Sequence, residues 1–216
     1  MSDAARNNEE AVPLPVWLKQ RIPFEGYTYR EYKKWDESIR VELINGTPKM
    51  MASPNEWHQW VLMEIGSQLK TILKGKKCTP YMAPFDARLY FKKNLQNQDD
   101  ESDKTIVQPD ILVVCDPEKL EGGHGVKGAP DFIIEILSEF NAGHDLIDKK
   151  YLYEKAGVNE YWIIATDRLY TYILADGKYQ ESVILFDENF KQSNFIHQIK
   201  TLQISIDFRA IIERYL

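Results

Sequence analysis

The segment from Gln108 to Trp162 decides the fold, because it contains two short apolar runs that each carry one carboxylate. The first run is QPDILVVC (108–115), which includes Asp110, and the second is DFIIEILS (131–138), with Glu135 near its centre. Both runs have the length and the Val and Ile content of buried strands. A carboxylate inside a buried strand is costly unless it is paired or binds a metal. Glu135 therefore marks a candidate site.

The two carboxylates can converge on one point. Side chains alternate between the faces of a strand, so Glu135 shares its face with Ile133 and Leu137. If the two strands are neighbours, Asp110 and Glu135 meet beside a backbone carbonyl. Oxygen ligands of this kind are the ones that Mg²⁺ prefers, so the sequence predicts a magnesium site at this point.

A third piece, DLIDKKYLYEKAGVNEYWIIA (145–165), predicts a helix followed by another strand. Asp145 is placed to cap the helix, and Gly157 suits the position just after its end. The helix carries Lys149 and Tyr153 one turn apart, which places both side chains on the same face.

Length and charge limit the possible functions. A chain of 216 residues is large enough for one domain with a sizeable core. We expect a polar N-terminal tail over residues 1–25 and a single domain over residues 26–216. The net charge of −6 argues against a constitutive, sequence-independent nucleic-acid binder. It does not exclude an enzyme in which a metal ion and local lysines offset phosphate charge.

The cysteine and hydropathy patterns predict the compartment. Cys78 and Cys115 each lie inside a predicted strand, and two cysteines form neither a disulfide framework nor a zinc cluster. We therefore expect buried free thiols. Because no stretch approaches the ~20 apolar residues of a membrane span, we expect a soluble, cytoplasmic protein with no membrane partner.

The remaining patterns predict a mixed α/β fold in which helices flank a sheet. In the first half of the chain they indicate a short helix from Thr28 to Trp35, a hairpin at Asn45-Gly46, a helix over 55–73, a strand over 78–91 that breaks at Pro84, and an exposed hairpin loop or local disorder over 92–104. In the second half they indicate a mobile loop over 116–129, antiparallel strands over 161–185, and a short strand and a last helix over 202–216.

The order of these elements resembles the PD-(D/E)XK nuclease superfamily, with Pro-Asp before one core strand and Glu135 on the next. Five pieces resemble the Uma-type family of restriction endonucleases in that family's order: VELINGTPKMMASPNEWH, PFDARL, QPDILVV, APDFIIEILS and DLIDKKYLYEKAGVNEYWII. The resemblance covers about residues 27–210. It implies a restriction-endonuclease-like αβββαβ core with flanking helices and an extra C-terminal antiparallel extension.

The sequence departs from the superfamily pattern at two places. Leu137 stands where the superfamily motif has a lysine, and the helix lysine that the resemblance implies as its substitute falls on Lys149. Glu139-Phe140 replaces the more usual Pro-Ser, which predicts an altered loop near the site.

The resemblance implies a metal-dependent endonuclease that hydrolyses DNA phosphodiester bonds. Asp110, Glu135 and the Leu137 backbone carbonyl would hold Mg²⁺, with Mn²⁺ as a substitute. Lys149 would orient the attacking water or stabilise the developing negative charge.

Four further residues are candidates. Glu42 lies in an apolar run and is expected to bind the metal or the water from a neighbouring element. His58 and Asp86 match family positions and are expected to support the site. Tyr153 lies one turn beyond Lys149.

Each candidate has an ordinary structural alternative. These are a strand-entry turn for Asp110, an ion pair of Glu135 with Lys149 or an arginine, a helix pair of Lys149 with Asp145, a cross-hairpin pair of Glu42 with Lys49, core packing for His58 and Tyr153, and a bulge or turn for Asp86. One shared site explains Asp110, Glu135 and Lys149 together, which favours the catalytic interpretation.

Two other functions stay open. One is a degenerate nuclease fold that binds protein or nucleic acid, and the other is a phosphoesterase for a small phosphorylated molecule. We also expect a homodimer, because a two-fold enzyme suits cleavage of both strands of a two-fold duplex. Trp17, Trp60 and the aromatic-rich C-terminal strands are candidates for its apolar patch.

Overall fold

The computed structural model describes residues 26–35, 39–90, 101–121, 125–137 and 144–215 of the chain. Its helices are α1 (Tyr29–Tyr32), α2 (Glu56–Leu73), α3 (His144–Ala156), α4 (Glu188–Gln192) and α5 (Arg209–Tyr215), with a 3-10 turn at Pro117–Lys119. Its strands are β1 (Val41–Ile44), β2 (Thr47–Met50), β3 (Thr79–Met82), β4 (Asp86–Arg88), β5 (Ile106–Val107), β6 (Ile111–Val114), β7 (Leu120–Glu121), β8 (Gly125–Lys127), β9 (Phe132–Ile136), β10 (Glu160–Ile164), β11 (Arg168–Ala175), β12 (Lys178–Leu185), β13 (Ile196–Ile199) and β14 (Ile204–Asp207).

The main sheet is mixed, with the strand order β12-β11-β10-β9-β6-β3. Strands β3, β6 and β9 are antiparallel neighbours, and β10 lies parallel to β9. A parallel pair needs a crossover connection, which α3 supplies. Together with α2 these elements form the predicted αβββαβ core. The antiparallel strands β11 and β12 extend it, as expected from the sequence.

The central strands β6, β9 and β10 of the main sheet are buried on both faces, which explains their continuous apolar sequences. Ile134 and Ile136 pack in the core that includes residues of α2 and α5, whereas Ile133 packs in the core that includes residues of α3. Glu135 alternates with Ile134 and Ile136, so its side chain lies on the α3 side of the sheet.

Helix α2 forms where its apolar residues recur every four positions. Its buried face includes Trp57, Val61 and Leu69, and it packs on the main sheet. The Asn55 side chain caps the first turn by accepting a hydrogen bond from the His58 backbone N–H at 2.9 Å. Gly75 follows the helix with a φ of +74°.

A second sheet has the strand order β2-β1-β5-β4-β8-β7. Its first hairpin turns at Asn45-Gly46, as predicted, because both residues adopt positive φ angles. The predicted break at Pro84 is confirmed, since β3 pairs in the main sheet and β4 pairs in the second sheet.

The prediction of free thiols is wrong. Cys78 and Cys115 form a disulfide. The pairing of β3 with β6 places Thr79 opposite Val114, so the two cysteines come directly opposite each other at the next position. Which strands pair cannot be read from the local sequence. Because the two cysteines are not free thiols, they no longer support the expectation of a reducing compartment.

Three smaller predictions need correction. The first helix ends at Tyr32 rather than Trp35, although Glu31 accepts the expected hydrogen bond from the Thr28 backbone N–H at 2.8 Å. The 116–129 segment contains a 3-10 turn and strands β7 and β8 rather than a simple loop. Helix α4 and strand β13 were not predicted.

Several predictions fall on residues outside the described ones. These include the tail over 1–25 with Trp17, most of the 92–104 loop and Glu139-Phe140. Within the described ranges, no helix is both long enough and apolar enough to cross a membrane.

We predict that Gly46→Ala destabilises the protein more than Gly177→Ala. Both glycines hold the second position of a two-residue hairpin turn, with φ of +82° and +76°. Alanine in this conformation costs about 1–2 kcal/mol at either position. A Cβ at Gly46 would also lie 2.9 Å from the Gly26 Cα, whereas nothing lies within 4 Å at Gly177. The backbone clash should add roughly 1–3 kcal/mol in urea unfolding. Equal losses would show that the Gly26 contact is dispensable.

Candidate active site

Asp110 and Glu135 lie across from each other on adjacent strands, as predicted. The register pairs Ile111 with Ile134, so the next position places Asp110 opposite Glu135. Both side chains are buried. The Asp110 Oδ2 accepts a hydrogen bond from the Ile136 backbone N–H at 2.7 Å, which ties this carboxylate to β9.

Helix α3 brings a lysine and a tyrosine to Glu135. The Lys149 Nζ lies 3.0 Å from the Glu135 Oε1, and the Tyr153 hydroxyl donates to the same oxygen at 2.7 Å. The two residues are four positions apart and so share one face of the helix. The expected alternatives for Glu135 and Tyr153 are thus also present, because Glu135 forms an ion pair and Tyr153 is fully buried.

Glu42 joins the same lysine from the second sheet. Its Oε1 lies 2.9 Å from the Lys149 Nζ and also accepts from the Gln108 backbone N–H at 2.8 Å. The backbone register does place Glu42 opposite Lys49, but the Lys49 Nζ lies 3.1 Å from Asp148. The Lys149 ammonium therefore bridges carboxylates from two different sheets.

His58 contacts the other carboxylate. Its Nε2 lies 2.9 Å from the Asp110 Oδ1, and it comes from the first turn of α2. The His58 Nδ1 is buried and has no hydrogen-bond partner among the described residues. His58 thus holds Asp110 from the α2 side of the sheet.

Asp86 lies one residue further out in the network. It accepts hydrogen bonds from the Gln108 side-chain amide at 2.9 Å and from the Tyr32 hydroxyl at 3.2 Å. Burial raises the pKa of Asp86, against these two hydrogen bonds, which lower it. Asp86 is therefore linked to Glu42 through Gln108.

The electrostatics of the cluster are dominated by burial. Burial raises the pKa of Glu135 to about 7; Lys149 lowers it, and the charges of Asp110 and Glu42 raise it further. Burial opposes the charge of Lys149, but the carboxylates of Glu135 and Glu42 raise its pKa above the ordinary value. Two contacting carboxylates and the nearby charge of Asp110 thus act on one ammonium that keeps its proton.

The oxygen donors of this cluster fit a hard cation. No group of three or more His, Cys, Asp or Glu side chains forms a metal cage in the described part of the chain. Mg²⁺, however, is commonly held by one or two carboxylates together with waters. Asp110 and Glu135 can supply these carboxylates. The Leu137 carbonyl accepts a hydrogen bond from the Trp57 indole N–H at 3.1 Å and has a second lone pair.

Comparison with known families identifies the chain's relatives. The model of the Uma2 family, described as "putative restriction endonuclease", matches residues 29–206. The chain belongs to the Uma2 family.

A solved structure supports the same fold for this Uma2 chain. It is the crystal structure of a "putative nuclease belonging to DUF820" from Anabaena variabilis, with a TM-score of 0.64 and 17% sequence identity. The match covers 88% of this chain and 99% of the other. At this identity the likeness shows the restriction-endonuclease-like fold. No curated protein matches the chain.

The Uma2 fold gathers most of the predicted site residues but also adds others. The predicted residues that come together, directly or through the Ile136 backbone, are Asp110, Glu135, Lys149, Glu42 and Tyr153. His58 contacts Asp110. Sequence reasoning missed Gln108, Tyr32 and Trp57. The available signal for Gln108 was its position just before Pro-Asp. Tyr32 and Trp57 gave no signal, because each reads as an ordinary core aromatic.

We predict that Lys149→Met costs about 3–5 kcal/mol of unfolding free energy at pH 8 with a chelator present, because it leaves buried carboxylates without their ammonium. The penalty should shrink at pH 5, where Glu135, with its raised pKa, takes up a proton. Lys150→Met is the matched control, since Lys150 pairs with Glu181 at half-exposed positions. It should cost less than about 1 kcal/mol. Similar small costs for both variants would refute the bridging role.

Proposed function

We propose that this Uma2 chain is a metal-dependent endonuclease that hydrolyses DNA phosphodiester bonds at the cluster of Glu42, Asp110, Glu135 and Lys149. The supporting observation is the excess of buried carboxylates over ammonium groups, which a divalent cation would offset. Family membership and the nuclease-like fold support the reaction class.

In this proposal Asp110 and Glu135 hold Mg²⁺, for which Mn²⁺ substitutes, with the Leu137 carbonyl as a further ligand. The bound ion would supply a Lewis acid for the phosphate and a lowered pKa for the attacking water. Glu42 pairs with Lys149 from the second sheet, as Glu135 does from the main sheet, and so balances the charge of the lysine.

The residues of the chain have separate tasks in the proposed reaction. The Lys149 ammonium keeps its proton and would stabilise the negative charge that develops on the phosphate or orient the water. Tyr153 orients the Glu135 carboxylate by its hydrogen bond, and His58 orients Asp110. Tyr153 and His58 are thus positioning residues, whose partners do the chemistry.

The rival interpretation as a binding module is disfavoured by energetics. A buried ionic cluster is often no more stable than an apolar replacement of the same volume. A chain that only binds a partner through its surface gains nothing from Glu42, Glu135 and Lys149 in its interior.

We predict that Glu135→Gln loses divalent-metal binding by at least ~100-fold and loses cleavage, while circular dichroism shows an intact fold, because the amide is neutral but of similar shape. Lys149→Arg should keep metal binding and the fold but lose about 10²–10³ in turnover, since the guanidinium does not reproduce a point charge. Lys150→Met should behave like the parent chain.

The assay for these variants compares plasmid DNA, single-stranded DNA and a small phosphodiester with Mg²⁺ or Mn²⁺. Cleavage of the small ester alone would favour the phosphoesterase alternative. Parental DNA cleavage by Glu135→Gln would defeat the assignment.

We predict that Mg²⁺ affinity rises about tenfold per pH unit up to about pH 7 and then levels off. Glu135 must lose its proton to bind a metal, and burial raises its pKa to about 7 in the metal-free chain. Tyr153→Phe removes a hydrogen bond that lowers this pKa, so the plateau should move to higher pH. Calorimetry in buffers of different ionisation enthalpy measures the released proton. A flat profile between pH 5.5 and 8.5 would contradict the role of Glu135.

A further inference from the structure

The chain crosses from the second sheet to the main sheet at residues 108–110, here called the crossing segment. Strand β5 ends at Val107 in the second sheet and β6 begins at Ile111 in the main sheet, so the residues between them belong to no strand. Pro109 has no backbone N–H to donate. The far end of the segment is held at the Asp110 carbonyl, which accepts from the Ala83 N–H at 3.0 Å. The near end must be held in another way.

The side chain of Gln108 holds the near end of the crossing segment. Its Nε2 donates to the Asp86 Oδ1 at 2.9 Å and lies 3.4 Å from the Tyr32 hydroxyl, which contacts the same carboxylate oxygen. The Gln108 Oε1 is buried and has no hydrogen-bond partner among the described residues, so the amide nitrogen makes the anchoring contact. Asp86 is the first residue of β4, and it therefore ties the segment to the second sheet.

The backbone of Gln108 reaches the candidate site. Its N–H donates to the Glu42 Oε1 at 2.8 Å, and the same oxygen lies 2.9 Å from the Lys149 Nζ. A hydrogen bond to an ionised carboxylate is stronger than one between neutral groups. The position of the Gln108 backbone therefore affects where the Glu42 carboxylate, and with it the Lys149 ammonium, is held.

We propose that Gln108 is a positioning residue of the candidate site: its amide, anchored on Asp86, holds its backbone N–H in place for Glu42 and so fixes the Glu42–Lys149 pair. In this proposal Gln108 acts through Glu42 and does not itself take part in the chemistry. The expected effect on turnover rests on the proposed nuclease function, whereas the expected effect on the crossing segment does not.

A second glutamine supplies a matched control. The Gln68 Nε2 donates to the Asp207 carbonyl at 2.8 Å, and its Oε1 accepts from the Asp207 N–H at 2.9 Å. Gln68 is thus a half-buried, hydrogen-bonded glutamine like Gln108. It lies ten residues beyond His58 on α2, which is about 15 Å along the helix axis. A purely structural role predicts similar effects at both positions.

The first experiment measures amide hydrogen exchange in the full chain by NMR, without metal or DNA. In Gln108→Ala the residue-108 amide should exchange at least ~tenfold faster after correction for its intrinsic rate, because the segment loses its anchor. The Trp162 amide, in a central strand, should change by less than about twofold, and Gln68→Ala should leave the residue-108 amide as it is in the parent. An unchanged residue-108 amide in Gln108→Ala would overturn the proposal.

The second experiment reverses the direction of the Asp86–Gln108 hydrogen bond and measures DNA cleavage at about pH 8. Gln108→Glu places two carboxylates against each other, and it should lower kcat about 30-fold with KM within about threefold of the parent. Adding Asp86→Asn lets the new amide donate to the new carboxylate, so the double variant should return to within about fivefold of the parent. Gln68→Glu should stay within about threefold of the parent kcat.

Two results of the cleavage assay would overturn the proposal: a double variant no faster than Gln108→Glu, or a Gln68→Glu variant that loses as much turnover as Gln108→Glu. A parent chain that cleaves no DNA would refute the proposed nuclease function instead. The exchange experiment would then still decide whether Asp86 and Gln108 hold the crossing segment against Glu42.

Discussion

The contact on which the site depends is the Lys149 ammonium held between Glu42 and Glu135, at 2.9 and 3.0 Å. Glu42 belongs to the second sheet, Glu135 to the main sheet, and Lys149 to the helix that crosses over between β9 and β10. Two buried carboxylates from separate sheets repel each other and lose their hydration. The shared ammonium offsets both costs, so the two carboxylates can lie close together where the two sheets and α3 meet.

Helix α2 contributes both to the core and to the candidate site, because its apolar repeat holds one side of the helix against the main sheet. The core-facing side also carries Trp57, which donates to the Leu137 carbonyl, and its first turn places His58 against Asp110. The Asn55 cap fixes where this turn begins and therefore where the imidazole lies.

Much of this fold could be predicted because its signals are local. The four-residue repeat of α2, the Asn45-Gly46 turn and the carboxylates in two apolar runs are all visible within a few residues of sequence. The disulfide was missed because it depends on β3 pairing with β6. The hydrogen bonds that link Tyr32, Gln108 and Asp86 were also missed, because these residues come from three distant segments of the chain.

A structural ion pair and a metal site at Glu135 do not require two different structures. Burial raises the pKa of the Glu135 carboxyl to about 7, and the same carboxylate pairs with the Lys149 ammonium. Among the described residues, the second Glu135 oxygen accepts no hydrogen bond from the chain, whereas the first accepts from Lys149 and Tyr153. One oxygen therefore fixes the carboxylate in place and the other stays available as a ligand. In the sequence analysis the ion pair was the alternative to metal binding. In the structure the ion pair is the contact that would keep the Glu135 carboxylate in position to bind a metal.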